Sequence, residues 1–256
     1  MPKTVLITGS TSGIGLGIAH QFAAAGYAVM LNGLEANGAE IAAQLSNKYQ
    51  VPVLFHGANM LQPNELKDMV DLMLKNWGQI DALVCNAGIQ YVSPIESFPE
   101  EKWDAIIGIN LSSAFHLTKA VWPSMKERKF GRIIHIASAH GLMASEFKSA
   151  YVAAKHGLVG LTKVTALEGA PYNINCNAIC PGYVKTPLVE QQIAAQATAH
   201  GISAEEVVQK VMLHKQAVKE FIPVETLGQL ALFLASEGAT TLTGTALPVD
   251  GGWFAQ

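Results

Sequence analysis

The sequence predicts an α/β fold: a single doubly wound parallel sheet of about seven strands, one domain over 1–256, with a helical insertion over 188–220. Short β-branched or apolar runs alternate with longer segments of helical spacing along the chain, and such alternation builds βαβ units and a parallel sheet. Half of the residues are hydrophobic and only 14% are charged, so the chain can fill a large core. Its 256 residues suit one large α/β domain.

Taken in order, TVLIT (4–8) is the first strand, and the helix over 14–25 leaves it through the glycine-rich TGSTSGIG. AVMLN (28–32) and a helix over 35–48 follow, then VPVLFH (51–56) with 63–76, and DALVCNAG (81–88) with 101–128. RIIHIAS (132–138) leads to 148–168, whose start is alanine-rich and free of proline, and INCNAIC (174–180) is the sixth strand. Residues 188–220 then break the rhythm. They are helical in composition and longer than a connection needs, so they form either a lid over a site or a decorated crossover. A helix starting near Pro223 and the strand TALPVDGG (245–252) complete the series, with no internal repeat or linker.

Composition excludes several roles. A formal charge of -3 gives no electrostatic reason to bind nucleic acid or an anionic membrane. Cys85, Cys176 and Cys180 are too few and too irregularly spaced for a disulfide framework or a zinc site, and no metal is expected. The N-terminal apolar run is too short for a signal-peptide core, and no run approaches the ~18 residues of a membrane span. A cytoplasmic setting is the simplest expectation.

Chemistry enters with the glycine loop. Gly9, Gly13 and Gly15 stand between the first strand and the first helix, where glycines let the backbone approach a pyrophosphate at a helix N-terminus. A tight turn without ligand is the plainer alternative. Position in the first βα unit favours a Rossmann-type dinucleotide site. The second strand ends in Asn32, Gly33 and Leu34, with Glu35 next, and no Arg or Lys stands there or in the loop to meet a 2′-phosphate. NAD is therefore expected rather than NADP.

In a parallel sheet, ligands bind beyond the carboxyl ends of the strands. That edge collects Asn86 to Gln90, Ser138 with His140, and Pro181 to Thr186. Lys148, Tyr151 and Lys155, spaced to share one helix face, join them. A phenol of pKa ~10 is a poor base at neutral pH, and the nearby Lys155 cation favours its ionised form. Such a tyrosine can exchange a proton with an alcohol as hydride leaves the carbon, with Ser138 bonding the same oxygen. By itself, a Tyr-x-x-x-Lys pair is more often plain helix surface; Ser138 thirteen residues earlier and the upstream loop reverse that reading.

These residues resemble the short-chain dehydrogenase/reductase family. TGSTSGIG, Asn86-Ala87-Gly88, Asn110 in IGINLSSAF, Ser138, YVAAK and Pro181-Gly182 stand in that family's order and spacing across nearly the whole chain. The resemblance implies a tetrad of Asn110, Ser138, Tyr151 and Lys155, with Asn110 positioning a water that links Lys155 to solvent. It implies NAD held along Gly9, Thr11, Gly13, Ile14, Gly15, Leu34, Asn59, Met60, Asn86 and Gly88, and by Tyr151, Lys155, Pro181, Val184 and Thr186. Members that oxidise D-3-hydroxybutyrate to acetoacetate are the nearest in pattern. That likeness implies Gln90, His140, Lys148 and Gln192 at the substrate carboxylate, Ser138 and Tyr151 at its hydroxyl, and Trp253 beside it. It also implies a homotetramer with 101–128, 148–168 and the C-terminal strand at subunit contacts. Cys85, Asn59 and Tyr183 depart from the more usual Asn, Asp and Trp. Two other readings stay open: an NADPH-dependent reductase of 3-oxoacyl thioesters or another small ketone, and a non-enzymatic dinucleotide sensor.

Overall fold

Why seven short runs become one sheet is visible in their burial: β1 (Thr4–Ile7), β2 (Ala28–Asn32), β4 (Ala82–Cys85), β5 (Gly131–Ile136) and β6 (Ile174–Pro181) are buried along their whole length. The structure is a computed structural model and describes residues 2–186, 189–190, 193–194, 197 and 201–255. With β3 (Val53–His56) and β7 (Ala246–Val249) the strands form one parallel sheet in the order β3-β2-β1-β4-β5-β6-β7. Strands covered on both faces read as continuous apolar runs rather than alternating ones. Leu6, Met30, Leu83 and Ile133 feed one layer, packed by α3 (Pro63–Trp77), α5 (Ser113–Arg128) and α6 (Ser149–Gly169). Their neighbours Val5, Val29, Val84 and Ile134 feed the other, packed by α1 (Gly13–Ala24), α2 (Gly38–Tyr49) and the C-terminal helix Val224–Leu234. The seven-stranded, doubly wound expectation is met.

Differences from the expected bounds have local causes. The strand over 81–88 stops at Cys85, because Asn86 turns its carboxamide onto Thr8 O and Gly9 O, both at 2.9 Å. The helix over 101–128 is α4 (Glu100–Ile107), a π turn over Gly108–Ser112, then α5, which carries Pro123 inside it. Within 188–220, Ser203 caps a short helical turn over Ala204–Glu206, followed by a π turn to Met212 and a 3₁₀ turn over Leu213–Lys215. Val184 and Ile222 form an isolated parallel bridge that brings the end of this segment back beside β6. All three cysteines are free and buried. Among the described residues no helix is long and apolar enough to cross a membrane.

The order in which strands are laid down reverses between β1 and β4, which run parallel, so the loops after these strands diverge and leave a crevice at their carboxyl ends.

Candidate active site

That crevice is a cleft of about 460 Å³. It runs from the Gly9–Ile14 loop past Asn32–Glu35 and Ala58–Met60 to Asn86–Gln90, Ser138, Tyr151, Lys155, Pro181 and Thr186. Gly9 and Gly13 have φ of +57° and +52°, conformations that L side chains rarely adopt. At Gly15 a Cβ would overlap the Gly9 carbonyl. Ser12 precedes α1 without a side-chain cap, and no acidic residue stands in the first turn. The N–H groups and positive dipole end of α1 are thus open to an anion. Of the residues expected to hold a dinucleotide, Thr11, Ile14, Leu34, Asn59, Met60, Asn86 and Gly88 line this cleft, Gly15 is not in its lining, and Val184 lines a neighbouring cavity.

At the far end, Asn32 is fully occupied by the fold. Its oxygen accepts from Gly9 N–H at 3.2 Å, and its amide donates to His56 O and Ala58 O at 3.0 and 2.9 Å. The polar group facing the cleft there is Glu35, whose carboxylate accepts from the Thr11 hydroxyl. Lys155, at the opposite end, is the one Lys or Arg among the described lining residues. Asn59 spends part of its oxygen on Leu61 N–H at 3.0 Å.

The near end holds the four residues of the implied tetrad. Asn110, on the π turn, grips the backbone of Ile89 in both directions at 2.9 Å, which fixes the 86–90 loop. A wide turn of this kind is typical of functional sites. Ser138 Oγ accepts from His140 N–H at 3.1 Å, which leaves its own proton to donate onward. Lys155 Nζ donates to Ile136 O at 2.8 Å and lies 5.6 Å from the Tyr151 ring centre. Burial raises the Tyr151 phenol, with a hydrogen bond from Ser138 opposing. The phenol is thus raised rather than lowered, against the expectation drawn from the nearby Lys155, and the opposing group is Ser138.

Burial pushes Lys155 down to about 8 from its ordinary 10.5. Between those values the unfolded chain holds a proton that the folded protein has released, so stability rises with pH across that window. Denaturant unfolding at about pH 7.5 and about pH 9.5 should show the wild type gaining about 2 kcal/mol relative to Lys155→Met, whose side chain cannot titrate. Parallel curves would mean that Lys155 is solvated.

A second cavity, of about 160 Å³, opens from the first where Gln90, Ser138, Tyr151 and Pro181 line both. His140, Lys148, Tyr183 and Trp253 complete its wall. The Tyr183 and Trp253 rings stack at 5.7 Å with planes 7° apart, and His140 meets Trp253 edge-on at 5.4 Å. Burial, then the charge of Lys148, pushes His140 down to about 3, so its ring is neutral, and Nε2 lies 2.9 Å from Ser145 Oγ. Lys148 is lowered by burial and then by Lys215. No Asp or Glu stands among the described residues of this wall. The helix spacing that predicted one shared face thus resolves into Lys148 in the small cavity, Lys155 in the cleft, and Tyr151 at the junction. Gln192 lies outside the described residues. Ser145 and the Thr11–Glu35 contact carried no sequence signal; each partnership depends on the folded loops.

The family model described as "short chain dehydrogenase" matches residues 3–197. The D-beta-hydroxybutyrate dehydrogenase of Rhizobium meliloti strain 1021 is 52% identical over 100% of both chains. A Cupriavidus necator protein of the same name is 51% identical over 99% of this chain and 98% of its own. The solved structure of L-sorbose reductase from Gluconobacter frateurii, complexed with NADPH and L-sorbose, matches with a TM-score of 0.95 at 31% identity, over 100% of this chain and 97% of that one.

Proposed function

The chain belongs to the short-chain dehydrogenase family, and from that premise we propose that it oxidises D-3-hydroxybutyrate to acetoacetate, and catalyses the reverse, with NAD. One observation carries this reading. The small cavity beside Ser138 and Tyr151 presents the Lys148 ammonium with no acidic partner in the described wall, and its size suits a short acid. A partly buried cation without a counter-ion in the wall costs free energy, and a substrate carboxylate offsets it. The names of the two bacterial relatives point the same way.

The open first turn of α1 and the glycines of the loop fit a dinucleotide pyrophosphate. Glu35 beside Thr11 suits a ribose hydroxyl and repels a 2′-phosphate, which supports NAD over NADP. The cofactor, when bound, supplies the hydride acceptor. The chain's own groups do the rest. Lys148, Gln90 and His140 hold the carboxylate, which fixes the carbon bearing the hydroxyl against the cleft. Ser138 donates to the hydroxyl oxygen, and Tyr151 takes its proton in oxidation and returns it in reduction. Lys155 supplies positive charge beside the phenol as the phenolate forms. Asn110 holds the 86–90 loop, and with it Gln90, in place.

In the same reading, 188–220 closes over substrate and brings Gln192 to the carboxylate, and closure expels water. The protein assembles as a homotetramer. Exposure of Trp103, Phe115 and Leu167 on the expected contact elements, and of Phe254 just past the last strand, supports association.

Initial-rate formation of NADH from D-3-hydroxybutyrate, with the L enantiomer and NADP as parallel controls, tests the proposal. Turnover of the D acid with NAD, and little in either control, is expected. Preference for NADP, or no turnover of either enantiomer, would refute it.

A further inference from the structure

Three segments distant in sequence meet at one carboxamide. Gln216 follows the Leu213–Lys215 turn and is 0% exposed. Its oxygen accepts from Tyr183 N–H at 3.2 Å, and its Nε2 donates to Val218 O and Glu220 O at 3.2 and 3.0 Å. The C-terminal turn packs onto the same group: a Cβ on Gly251 would stand 2.8 Å from Nε2, and one on Gly182 would stand 3.0 Å from Oε1. Backbone bonds lock the arrangement, Ile222 N–H to Tyr183 O and Val218 N–H to Gly251 O, each at 2.9 Å. Asp250 holds the turn that follows, accepting from Gly252 N–H at 3.0 Å and Phe254 N–H at 2.8 Å.

Two of these segments carry the stacked rings of the small cavity, Tyr183 and Trp253. The third is the end of the 188–220 insertion. We infer that Gln216 is a positioning residue that sets the Tyr183–Trp253 wall and thereby the length of acid the pocket accepts. This rests on the proposed substrate reading for its kinetic consequence, though not for its geometry. Only a carboxamide meets the demand at this point. It must accept from one backbone N–H and donate to two carbonyls, whereas a carboxylate only accepts and an aliphatic chain does neither. The group belongs to neither the cleft nor the cavity lining, so it acts through the residues it holds.

Gln216→Leu and Gln216→Glu, made in the full chain, test this. Near-ultraviolet circular dichroism reads the Tyr183–Trp253 stack, NADH fluorescence reads cofactor affinity, and kcat and KM are measured for D-3-hydroxybutyrate and for the acid one carbon longer. In Gln216→Leu the aromatic signal should change, and KM for the shorter acid should rise about tenfold, on the order of the loss of buried hydrogen bonds. Preference between the two acids should narrow, and NADH affinity should stay within about twofold of wild type. Gln216→Glu, held protonated by burial between two carbonyls, accepts from Tyr183 N–H and donates to one of those carbonyls, so it should fall between Leu and wild type, and it carries the test if the Leu variant fails to fold. A folded variant with an unchanged aromatic signal and unchanged acid preference would overturn the inference. So would equal losses in KM, kcat and NADH affinity, which would mark a general structural role. If the wild type turns over no 3-hydroxy acid, the substrate reading fails while the aromatic signal still decides whether Gln216 holds the wall.

Discussion

Tyr151→Phe is expected to lower kcat by roughly 10²–10⁴-fold, the size of a lost general acid/base, while NADH binds as before. The substitution removes one oxygen and little else. The ring keeps its edge contact with His140 at 6.0 Å, and Lys155 keeps its bond to Ile136 O at 2.8 Å. The glycine loop and the N-terminus of α1, the proposed pyrophosphate cradle, do not involve the phenol. Burial raises the Tyr151 pKa, so the resting group is a phenol with a proton to give. Reduction of the keto acid can start from that form, whereas oxidation needs the phenolate. The kcat/KM for oxidation should therefore climb with pH over the range in which the phenol ionises, and that for reduction should decline. Initial rates in both directions, with a fluorescence titration of NADH, measure all of this. A Phe variant that retains more than about a tenth of wild-type kcat would assign the proton transfer to another group.

The sheet was legible because its five inner strands are buried on both faces. A run such as AVMLN has no alternation to misread, and it pairs with β1 along Thr4↔Ala28 to Ile7↔Leu31. Ends of elements were harder to place, since side chains from elsewhere set them. Asn86 leaves the strand to brace the glycine loop, an interaction across 77 residues. The π turn at Gly108–Ser112 adds one residue to a helical turn, and that is too small a change to disturb an apolar period read over 101–128. Pro123 lies inside α5 although it removes one backbone donor, and the packing of Leu117, Val121 and Met125 in the core holds the helix around it.

The candidate site divides the same way. Tyr151 and Lys155 share one helix, Gly9 to Gly15 share one loop, and local spacing exposes such groups. Gln216 meets Tyr183 across 33 residues, and Glu35 meets Thr11 across 24. Gln216 and Tyr183 have no spacing rule and look like ordinary polar residues until the chain is folded; Glu35 stands near the place of a ribose-binding carboxylate, but its bond to Thr11 does not follow from that spacing. The balance of forces on Tyr151 was also beyond the sequence. Proximity of a lysine can be read from i, i+4 spacing, whereas the depth of burial that opposes it depends on every element around the cleft.

Lys148→Met should cost about 2–4 kcal/mol of transition-state binding for the hydroxy acid, roughly 30- to 1000-fold in kcat/KM, the range seen when one partner of a desolvated charge pair is removed. Lys148 stands just before α6, and Phe147 ahead of it has a φ of +65°, a strained conformation for a bulky residue. Ser93 N–H holds that bend by donating to Phe147 O at 2.9 Å. The bend delivers the ammonium to the small cavity, where burial and Lys215 lower its pKa below the ordinary 10.5. In the proposed binding mode the charged form meets the carboxylate, so KM for the acid should rise with pH earlier than an ordinary lysine would allow. The neighbours cannot supply this effect. Gln90 is neutral, His140 titrates at about 3 and is neutral as well, and a neutral hydrogen bond contributes only about 0.5–1.5 kcal/mol. A neutral ketone of the same size, with a hydroxymethyl group replacing the carboxylate, separates charge from shape. Wild type should discriminate against it strongly, and Lys148→Met should discriminate little, because the variant loses rate on the acid alone. Equal losses on acid and neutral ketone would make Lys148 a structural residue of the α6 terminus and place the carboxylate elsewhere.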